Sequence, residues 1–335
     1  AKDCHRAHPT TFLPYTGRRS SLSSHSSQEP AREWTLSMIH NREEWLRTPP
    51  VKAAPLPPTS GVLVCSPQFF DIIDVRNEHM KGQEGNVDKE KALQQWETYV
   101  ELISSLGIQI HKITPQKDRV DAVFTANPSL CTIDSQGKTR AFLAQMDHPN
   151  RIPESLLHAE QYSSIGFDAE SLPPIPSSWE GNGDMLRDQE RALLWCGLGS
   201  RSCREGHIAS AELLGLDIAF LDLPDPRYYH LDTALAILEP NTVAVVKEAF
   251  SKDGLDLIQG AFERVIEVDP DEAEERLAGN MWSPDGIHVF ITSGSPVTIT
   301  RLEAAGFRTI PVDTGEFLKS GGSVFCMRQE IRGEI

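Results

Sequence analysis

The sequence predicts an α/β protein with one large domain behind an N-terminal tail. Helix–glycine–strand units recur at three distant places in the chain, around Gly107, Gly215 and Gly306. In each unit an amphipathic run ends at a glycine, and a short apolar run of strand length follows at once. A chain of 335 residues, 39% of them hydrophobic, can also bury a substantial core.

Composition excludes several classes of protein. The 32 basic and 48 acidic side chains give a net charge of −16, which argues against a nucleic-acid-binding protein. No apolar run approaches the roughly 20 residues that a membrane helix needs. The six cysteines are scattered without a CxxC pair, so we expect free thiols and no metal site.

Residues 1–60 are predicted to lie outside the domain. The start of the chain is rich in serine and arginine and poor in acids, as in an organelle transit segment, although a disordered tail has a similar composition. A proline-rich stretch over residues 48–60 is typical of a stiff linker. The predicted domain is therefore 61–335, and the predicted compartment is cytoplasmic, or mitochondrial if the tail is a transit segment.

The first unit opens the domain. Val62–Cys65 is predicted to be a buried strand, and Asp88 is placed to cap the helix that precedes Gly107. Ile108–Ile113 is the strand that follows that glycine. The predicted apolar face of the helix consists of Leu93, Trp96, Val100 and Ile103.

Four polar segments interrupt the later elements. Asp121–Pro128 contains Ala122–Phe124, which is interpreted as a buried strand before an Asn-Pro turn. Trp179–Asp184 places Glu180 and Asp184 around a flexible Gly-Asn-Gly turn.

The other two segments carry a histidine and a cysteine. Tyr228–Leu235 sets His230 and Asp232 two residues apart, hence on one face of a predicted strand. Ser320–Arg328 is interpreted as a Gly-Gly loop that leads into a short strand with Cys326.

The remaining units support a modular fold. A weaker helix–strand copy lies at Leu257–Val268, between the units of Gly215 and Gly306. Irregular spacing excludes a solenoid and favours a few large supersecondary modules. One doubly wound sheet is the alternative, although neither GxGxxG nor a P-loop motif occurs.

Together these segments contain the groups needed for nucleophilic catalysis. A thiol, a histidine and several carboxylates suit attack on a positively charged electrophile. Taken singly, each has an ordinary explanation, since Cys326 fits a buried apolar position and His230 a core histidine.

The order of the motifs resembles that of the guanidino-group-modifying enzymes, the penteins. Their acid-x-Val-Phe, Glu-Gly-x-Asp, histidine and Gly-Gly…Cys-Met segments are matched here by Asp121–Asn127, Glu180–Asp184, His230–Thr233 and Gly321–Met327. The resemblance covers about residues 61–330. It implies an α/β-propeller of pseudo-fivefold ββαβ modules around a central channel, with the active site in the channel and no metal or organic cofactor.

The resemblance also implies roles for individual residues. Cys326 corresponds to the nucleophile, His230 to the general acid/base and Glu180 to the third catalytic residue. The residues implied in substrate binding are Asp232, Asp121, Asn127, Asn77, Asp184, Arg201 and Phe124.

Two positions favour arginine as the substrate. Arginine deiminases and amidinotransferases resemble this chain in having Asp at the position of Asp232, where dimethylarginine enzymes typically have Lys. Asn127 is similar to the Phe-Thr-Ala-Asn segment of cyanobacterial-type arginine dihydrolases, as are Asn77 and its Phe-Asp-Ile segment. An amide there can hold a ureido group as well as a guanidinium, which permits a second hydrolysis.

The sequence thus predicts a cysteine hydrolase that converts arginine to ornithine, ammonia and CO₂. Alternatives are deimination to citrulline, dimethylarginine hydrolysis and amidino transfer. The competing class is a non-enzymatic binding protein on the same fold, similar to the ribosome anti-association initiation factor. The predicted partner is a small guanidino compound, without nucleic acid or membrane, and a homo-oligomer stays open.

Overall fold

The computed structural model describes residues 35–333. In chain order the strands are β1 (Met38–Ile39), β2 (Thr59–Cys65), β3 (Gln109–Ile113), β4 (Ser129–Ile133), β5 (Thr139–Leu143), β6 (Glu170–Ser171), β7 (Met185–Arg187), β8 (Leu193–Leu198), β9 (Asp217–Asp222), β10 (Leu235–Glu239), β11 (Thr242–Val245), β12 (Arg264–Glu267), β13 (His288–Thr292), β14 (Arg308–Val312) and β15 (Gln329–Arg332). The helices are α1 (Arg42–Arg47), α2 (Lys89–Ser105), α3 (Glu154–Ser164), α4 (Gly181–Asp184), α5 (Arg204–Leu214), α6 (Lys252–Ala261), α7 (Pro270–Arg276), α8 (Pro296–Ala304) and α9 (Gly315–Leu318).

The described strands form five small sheets, with strand orders β1-β9-β8-β7, β10-β11-β12, β13-β14, β15-β2-β3 and β4-β5-β6. Each sheet contains a parallel pair joined through a helix, such as β2–α2–β3 and β8–α5–β9. In four sheets the first strand of that pair also has an antiparallel neighbour, which is β15 in the case of β2. In the sheet of β13 and β14, an isolated antiparallel bridge between Trp282 and Phe290 takes its place.

This arrangement confirms the α/β class and the helix–glycine–strand units. Gly107, Gly215 and Gly306 all have positive φ at the ends of their helices, a conformation that glycine adopts without steric cost. A further unit at Gly166, where α3 leads to β6, was missed because that helix has weak apolar periodicity. Because the strands lie in five separate sheets, a single doubly wound sheet is excluded for the described residues.

Helix α2 forms largely as predicted. The Asp88 side chain accepts a hydrogen bond from the Lys91 N–H, and Trp96, Val100 and Ile103 are buried. Leu93 lies at the edge of the apolar face and stays partly exposed.

The predicted boundary at residue 60 is wrong for the part of the tail that the structure describes. Met38–Ile39 pairs in parallel with β9, and α1 packs against α6. The Trp45 ring stacks on Trp195 with 5.6 Å between centroids. This apolar anchor was overlooked because it is a single aromatic in a polar helix. Residues 1–34 lie outside the described residues.

Three predicted local structures also differ. Asp121–Phe124 forms turns, and Leu231–Thr233 is a 3₁₀ turn that follows His230. Cys326 lies in a turn, and its strand begins only at Gln329. The apolar residues in these segments are buried by the surrounding modules. Their composition therefore resembles that of strands, although they pair with no strand.

In the described residues, no helix has the length and apolar character needed to cross a membrane. The cysteines of this part of the chain, Cys65, Cys131, Cys196, Cys203 and Cys326, are all free thiols.

Candidate active site

A narrow pocket brings most of the singled-out residues together. Its walls come from turns and loop segments between the sheets rather than from strands. The lining residues are Arg76, Asn77, Met80, Asp121, Phe124, Asn127, Arg151, Arg201, Tyr229, His230, Ser320 and Cys326.

Cys326 reaches the cavity from a tight turn, in which the Met327 N–H donates to the Ser323 carbonyl. Its thiol donates to Asp232 Oδ2 at 3.2 Å, and the Asn280 Nδ2 amide donates to Sγ at 3.2 Å. Burial, followed by the neighbouring Asp232 carboxylate, holds the pKa of Cys326 well above its usual range. The resting group is therefore a thiol, and ionisation requires a positive charge nearby.

His230 is held by a carboxylate on one side. Its Nε2 lies 2.7 Å from Glu180 Oε2, and its Nδ1 lies 3.4 Å from the Asn127 amide nitrogen. Burial lowers the pKa of His230, but Asp184 and Glu180 more than offset it, so the net shift is upward. The raised pKa suits His230 to hold a proton, and because Glu180 engages Nε2, Nδ1 is the nitrogen left to exchange one.

Glu180 is fully buried and is hydrogen-bonded to His230. Burial raises its pKa, yet hydrogen bonding and charge from His230 and the Arg201 guanidinium bring it down to about 2. Its Oε2 accepts from both partners, whereas Oε1 has no hydrogen-bond partner among the described residues.

Asp232 has the opposite electrostatic setting. Burial raises its pKa to about 6, against the lowering effect of His230. One oxygen accepts from the Cys326 thiol, and Oδ1 is buried with no partner in the described part of the chain. Two carboxylates with pKa values pushed apart can take different roles in one site.

Asp184 lies behind the cavity rather than in its lining. Its oxygens accept from the Ser202 hydroxyl at 2.6 Å and from the Leu231 N–H at 3.1 Å. Both oxygens are occupied, so the geometry fits a carboxylate that positions the His230 segment and adds charge beside it.

Asn127 is oriented by a buried arginine. Its Oδ1 accepts from Arg151 Nη1 at 3.1 Å, which turns its Nδ2 toward His230. Arg151 also donates to the Phe124 carbonyl, and Glu154 pairs with it at 2.9 Å. A Cβ on Gly183 would lie 2.3 Å from the Asn127 amide nitrogen, so a larger residue there would displace the Asn127 amide.

Arg76, Asp121 and Arg201 form a charged wall of the cavity. Arg76 Nη2 donates to Asp121 Oδ2 at 2.6 Å, which neutralises the carboxylate that the sequence assigned to substrate. Arg201 lies over the Tyr229 ring at 4.9 Å and donates to the Arg76 carbonyl. Guanidinium groups in such a wall can bind a substrate carboxylate.

Asn77 lines the same region and caps a short 3₁₀ turn. Its Oδ1 accepts from the His79 and Met80 N–H groups, and its Nδ2 donates to the Ser320 carbonyl. These bonds tie the segment of Asn77 to the loop that leads to Cys326.

Sequence reasoning missed several residues of the site. Arg76, Arg151, Tyr229 and Asn280 lie outside the motif cores, or beside them, and their types are ordinary. Arg76 and Tyr229 gave a local signal, because each directly precedes a residue already singled out, Asn77 and His230. Within residues 35–333, no group of three or more His, Cys, Asp or Glu side chains is suited to hold a metal ion.

Comparisons with known proteins match most of the chain. The family model of eukaryotic N,N-dimethylarginine dimethylhydrolases matches residues 68–333. The N(G),N(G)-dimethylarginine dimethylaminohydrolase of Mycobacterium tuberculosis is 34% identical over 275 residues, or 82% of this chain and 87% of that protein. The bifunctional arginine dihydrolase/ornithine cyclodeaminase AgrE of Nostoc is 31% identical over 280 residues, but the match covers only 38% of it.

Solved structures show the same similarity. The N-terminal domain of ArgZ, a cyanobacterial arginine dihydrolase solved with its substrate bound, superposes with a TM-score of 0.74 at 28% identity. The match covers 81% of this chain and 97% of that domain.

Proposed function

Because the chain belongs to the N,N-dimethylarginine dimethylhydrolase family, whose relatives hydrolyse guanidino groups, we propose that it hydrolyses arginine through a covalent intermediate on Cys326. The family membership makes it a guanidino-group hydrolase. The choice of arginine, and of two rounds of hydrolysis, goes further and depends on the residues around the cavity.

The main support is a pair of buried carboxylate oxygens, Glu180 Oε1 and Asp232 Oδ1, to which no group in residues 35–333 donates a hydrogen bond. Leaving a buried acceptor unpaired costs about 1–3 kcal/mol, more for a charged group, so the site favours a ligand rich in N–H donors. An unsubstituted guanidinium carries five donors in a planar fork and is the side chain best suited to bind carboxylates in pairs.

The proposed reaction begins when the bound guanidinium lowers the pKa of the Cys326 thiol, which then loses its proton to water. The thiolate attacks the central guanidinium carbon, and protonated His230 donates its Nδ1 proton to the departing amine, which leaves as ammonia. The amidino group is then a thioether on Sγ. A water that gives its proton to His230 attacks that carbon, and the carbon–sulfur bond breaks to release a ureido product and the thiol. Glu180 holds the imidazole through both steps.

A second round on the ureido group follows from Asn127. The carboxamide can donate to a ureido oxygen or accept from an N–H, whereas a carboxylate can only accept. A second attack by Sγ on the bound citrulline would release ammonia, and hydrolysis of the resulting thiocarbamate would release ornithine and CO₂. In this proposal Arg201 and Arg76 bind the substrate carboxylate at the charged wall.

Dimethylarginine hydrolysis is the second candidate, since the M. tuberculosis relative carries that name. Against it, methyl groups would replace the N–H donors that Asp232 needs. Losing one charge-assisted bond costs roughly 1.5–3 kcal/mol, or about one to two decades in rate.

The proposal extends to the architecture. The five sheets, with their repeated parallel pair and helix, support a five-module propeller around a central channel. The pairing of β15 with β2 joins the last described strand to the first module, as closure of such a ring requires.

A product time course with isotopically labelled arginine tests the proposal. We expect ornithine as the main product of the wild-type protein, citrulline from Asn127→Asp, and no turnover from Cys326→Ala. Cys203→Ala is the matched control, because Cys203 lies outside the cavity and should leave the rate unchanged. Citrulline as the sole wild-type product would reduce the proposal to a deiminase. Faster turnover of dimethylarginine than of arginine would refute the choice of substrate.

A further inference from the structure

Asn280 is hydrogen-bonded to the Cys326 turn through both its side chain and its backbone. Its Oδ1 accepts from the Ser323 N–H at 3.1 Å and from the Cys326 N–H at 3.2 Å. Its backbone carbonyl accepts from the Phe325 N–H at 3.3 Å. The side chain is 1% exposed, so these bonds are shielded from water.

These bonds determine which way the carboxamide points. Since both backbone N–H groups need an acceptor, the oxygen must face them, and the Nδ2 group must face the other way. There it donates to the Asp232 carbonyl at 2.9 Å and to Cys326 Sγ at 3.2 Å. These hydrogen bonds fix the orientation of the amide, so the group that faces the sulfur is the Nδ2 donor.

The backbone just before Asn280 packs closely against the segment that contains Asp232. Leu277 ends α7 with φ of 51°, the only non-glycine residue with positive φ in the described part of the chain. A Cβ on Gly279 would lie 2.3 Å from the Thr233 carbonyl oxygen, so the loop passes directly against the Asp232 segment. Strained positions of this kind persist where the surrounding structure enforces them, often at functional sites.

We propose that Asn280 is a catalytic residue that stabilises the thiolate of Cys326 through its Nδ2 donor. The inference rests on the proposed role of Cys326 as the nucleophile. Asp232 opposes ionisation of the thiol, since its carboxylate would lie beside the new negative charge. Asn280 supplies the only side-chain donor to Sγ among the described residues, and that bond strengthens once the sulfur is charged.

The same side chain also links the two halves of the site. It bonds the Cys326 turn through Oδ1 and the Asp232 backbone through Nδ2. A shift of either segment would change the distance from Sγ to Asp232, on which substrate binding in the proposed reaction depends.

The test is the rate at which iodoacetamide alkylates Cys326 at a fixed pH below the pKa of the thiol, without substrate. Peptide mass spectrometry follows Cys326 separately from the other cysteines. Asn280→Asp keeps the oxygen that accepts from the backbone and replaces the donor with a second oxygen. Loss of a bond to a charged group should raise the thiol pKa by about one unit or more, so alkylation should slow roughly tenfold or more. Asn280→Ala should slow it in the same direction.

A merely structural role predicts the opposite sign, because a loosened turn would expose the thiol and speed alkylation. Alkylation of Asn280→Asp at the wild-type rate or faster overturns the proposal, as does failure of both variants to fold. Asn86→Asp, on an exposed turn, is the matched control and should alkylate at the wild-type rate. Because no arginine is present, slowed alkylation in a protein that does not turn over arginine would refute the proposed function and leave this inference standing.

Discussion

At the scale of single residues, different partners give two buried carboxylates different pKa values. Glu180 shares His230 and Arg201 as cationic partners, so its pKa falls to about 2. For Asp232 the lowering effect of His230 on the pKa is smaller than the raising effect of burial, so its pKa rises to about 6. Glu180 therefore stays ionised at neutral pH and holds the histidine, whereas Asp232 titrates near the physiological range.

This difference predicts a pH dependence for arginine turnover. Asp232 must be ionised to accept N–H bonds, so kcat/KM should climb as pH rises through about 6 and fall about tenfold per unit below it. In Asp232→Asn this acid limb of the pH profile should be absent, and kcat/KM at pH 8 should be about one to two decades lower than in the wild type.

The measurement is the pH profile of kcat/KM for both proteins. Asp225→Asn serves as the control, because Asp225 pairs with Arg227 at 2.6 Å outside the cavity lining and should leave the limb unchanged. A limb near pH 6 that persists in Asp232→Asn would assign the titration to another group.

At the scale of elements, a short N-terminal helix completes the core of one module. Helix α1 is capped by Asn41, whose side chain accepts from the Glu44 N–H at 2.9 Å. Six residues are too few for a stable helix in water, so α1 depends on tertiary packing. Trp45 provides it, because its ring stacks on Trp195 and the Arg191 guanidinium lies over it at 5.3 Å.

Trp45→Ala should therefore lower the free energy of unfolding by roughly 3–5 kcal/mol, the usual cost of removing a large buried aromatic. Leu46→Ala is the matched control, since Leu46 is 68% exposed on the same helix and should change stability by less than about 0.5 kcal/mol. Urea denaturation of both variants measures the difference. Equal stability of Trp45→Ala and wild type would mean that α1 contributes little to the fold.

At the scale of the whole molecule, the last described strand, β15, completes the sheet of the first module. Strand β15 pairs in antiparallel register with β2, with Gln329 opposite Leu63. Modules in an open array can unfold one at a time. Here β15 and β2 lie in one sheet, so unfolding of the last segment also disrupts the first module. The same pairing positions the Cys326 turn, because that turn directly precedes β15.

We therefore expect one cooperative unfolding transition in urea. Tryptophan fluorescence and far-UV circular dichroism should give the same midpoint, the standard sign of two-state unfolding. Ile331→Ala, which empties a fully buried position in β15, should shift both curves together by roughly 2–5 kcal/mol. Separate midpoints for the two probes would indicate modules that unfold independently.

The sequence alone determined the elements whose pattern is local. The cap at Asp88, the glycines that end α2, α5 and α8, and the apolar strands after them follow from backbone geometry and periodicity within a few residues. The four motif segments were likewise visible as clusters of reactive residues, and residues from each either line the cavity or hydrogen-bond residues that do.

Only the tertiary structure decided how those residues meet. Arg151 and Asn280 bond to Asn127 and Cys326 across 24 and 46 residues of sequence, and no local pattern marks either partner. The segments of Phe124, His230 and Cys326 resemble strands in composition, yet neighbouring modules bury them as turns. Side-chain burial depends on every element packed around a position, so periodicity within one segment cannot distinguish a buried turn from a buried strand.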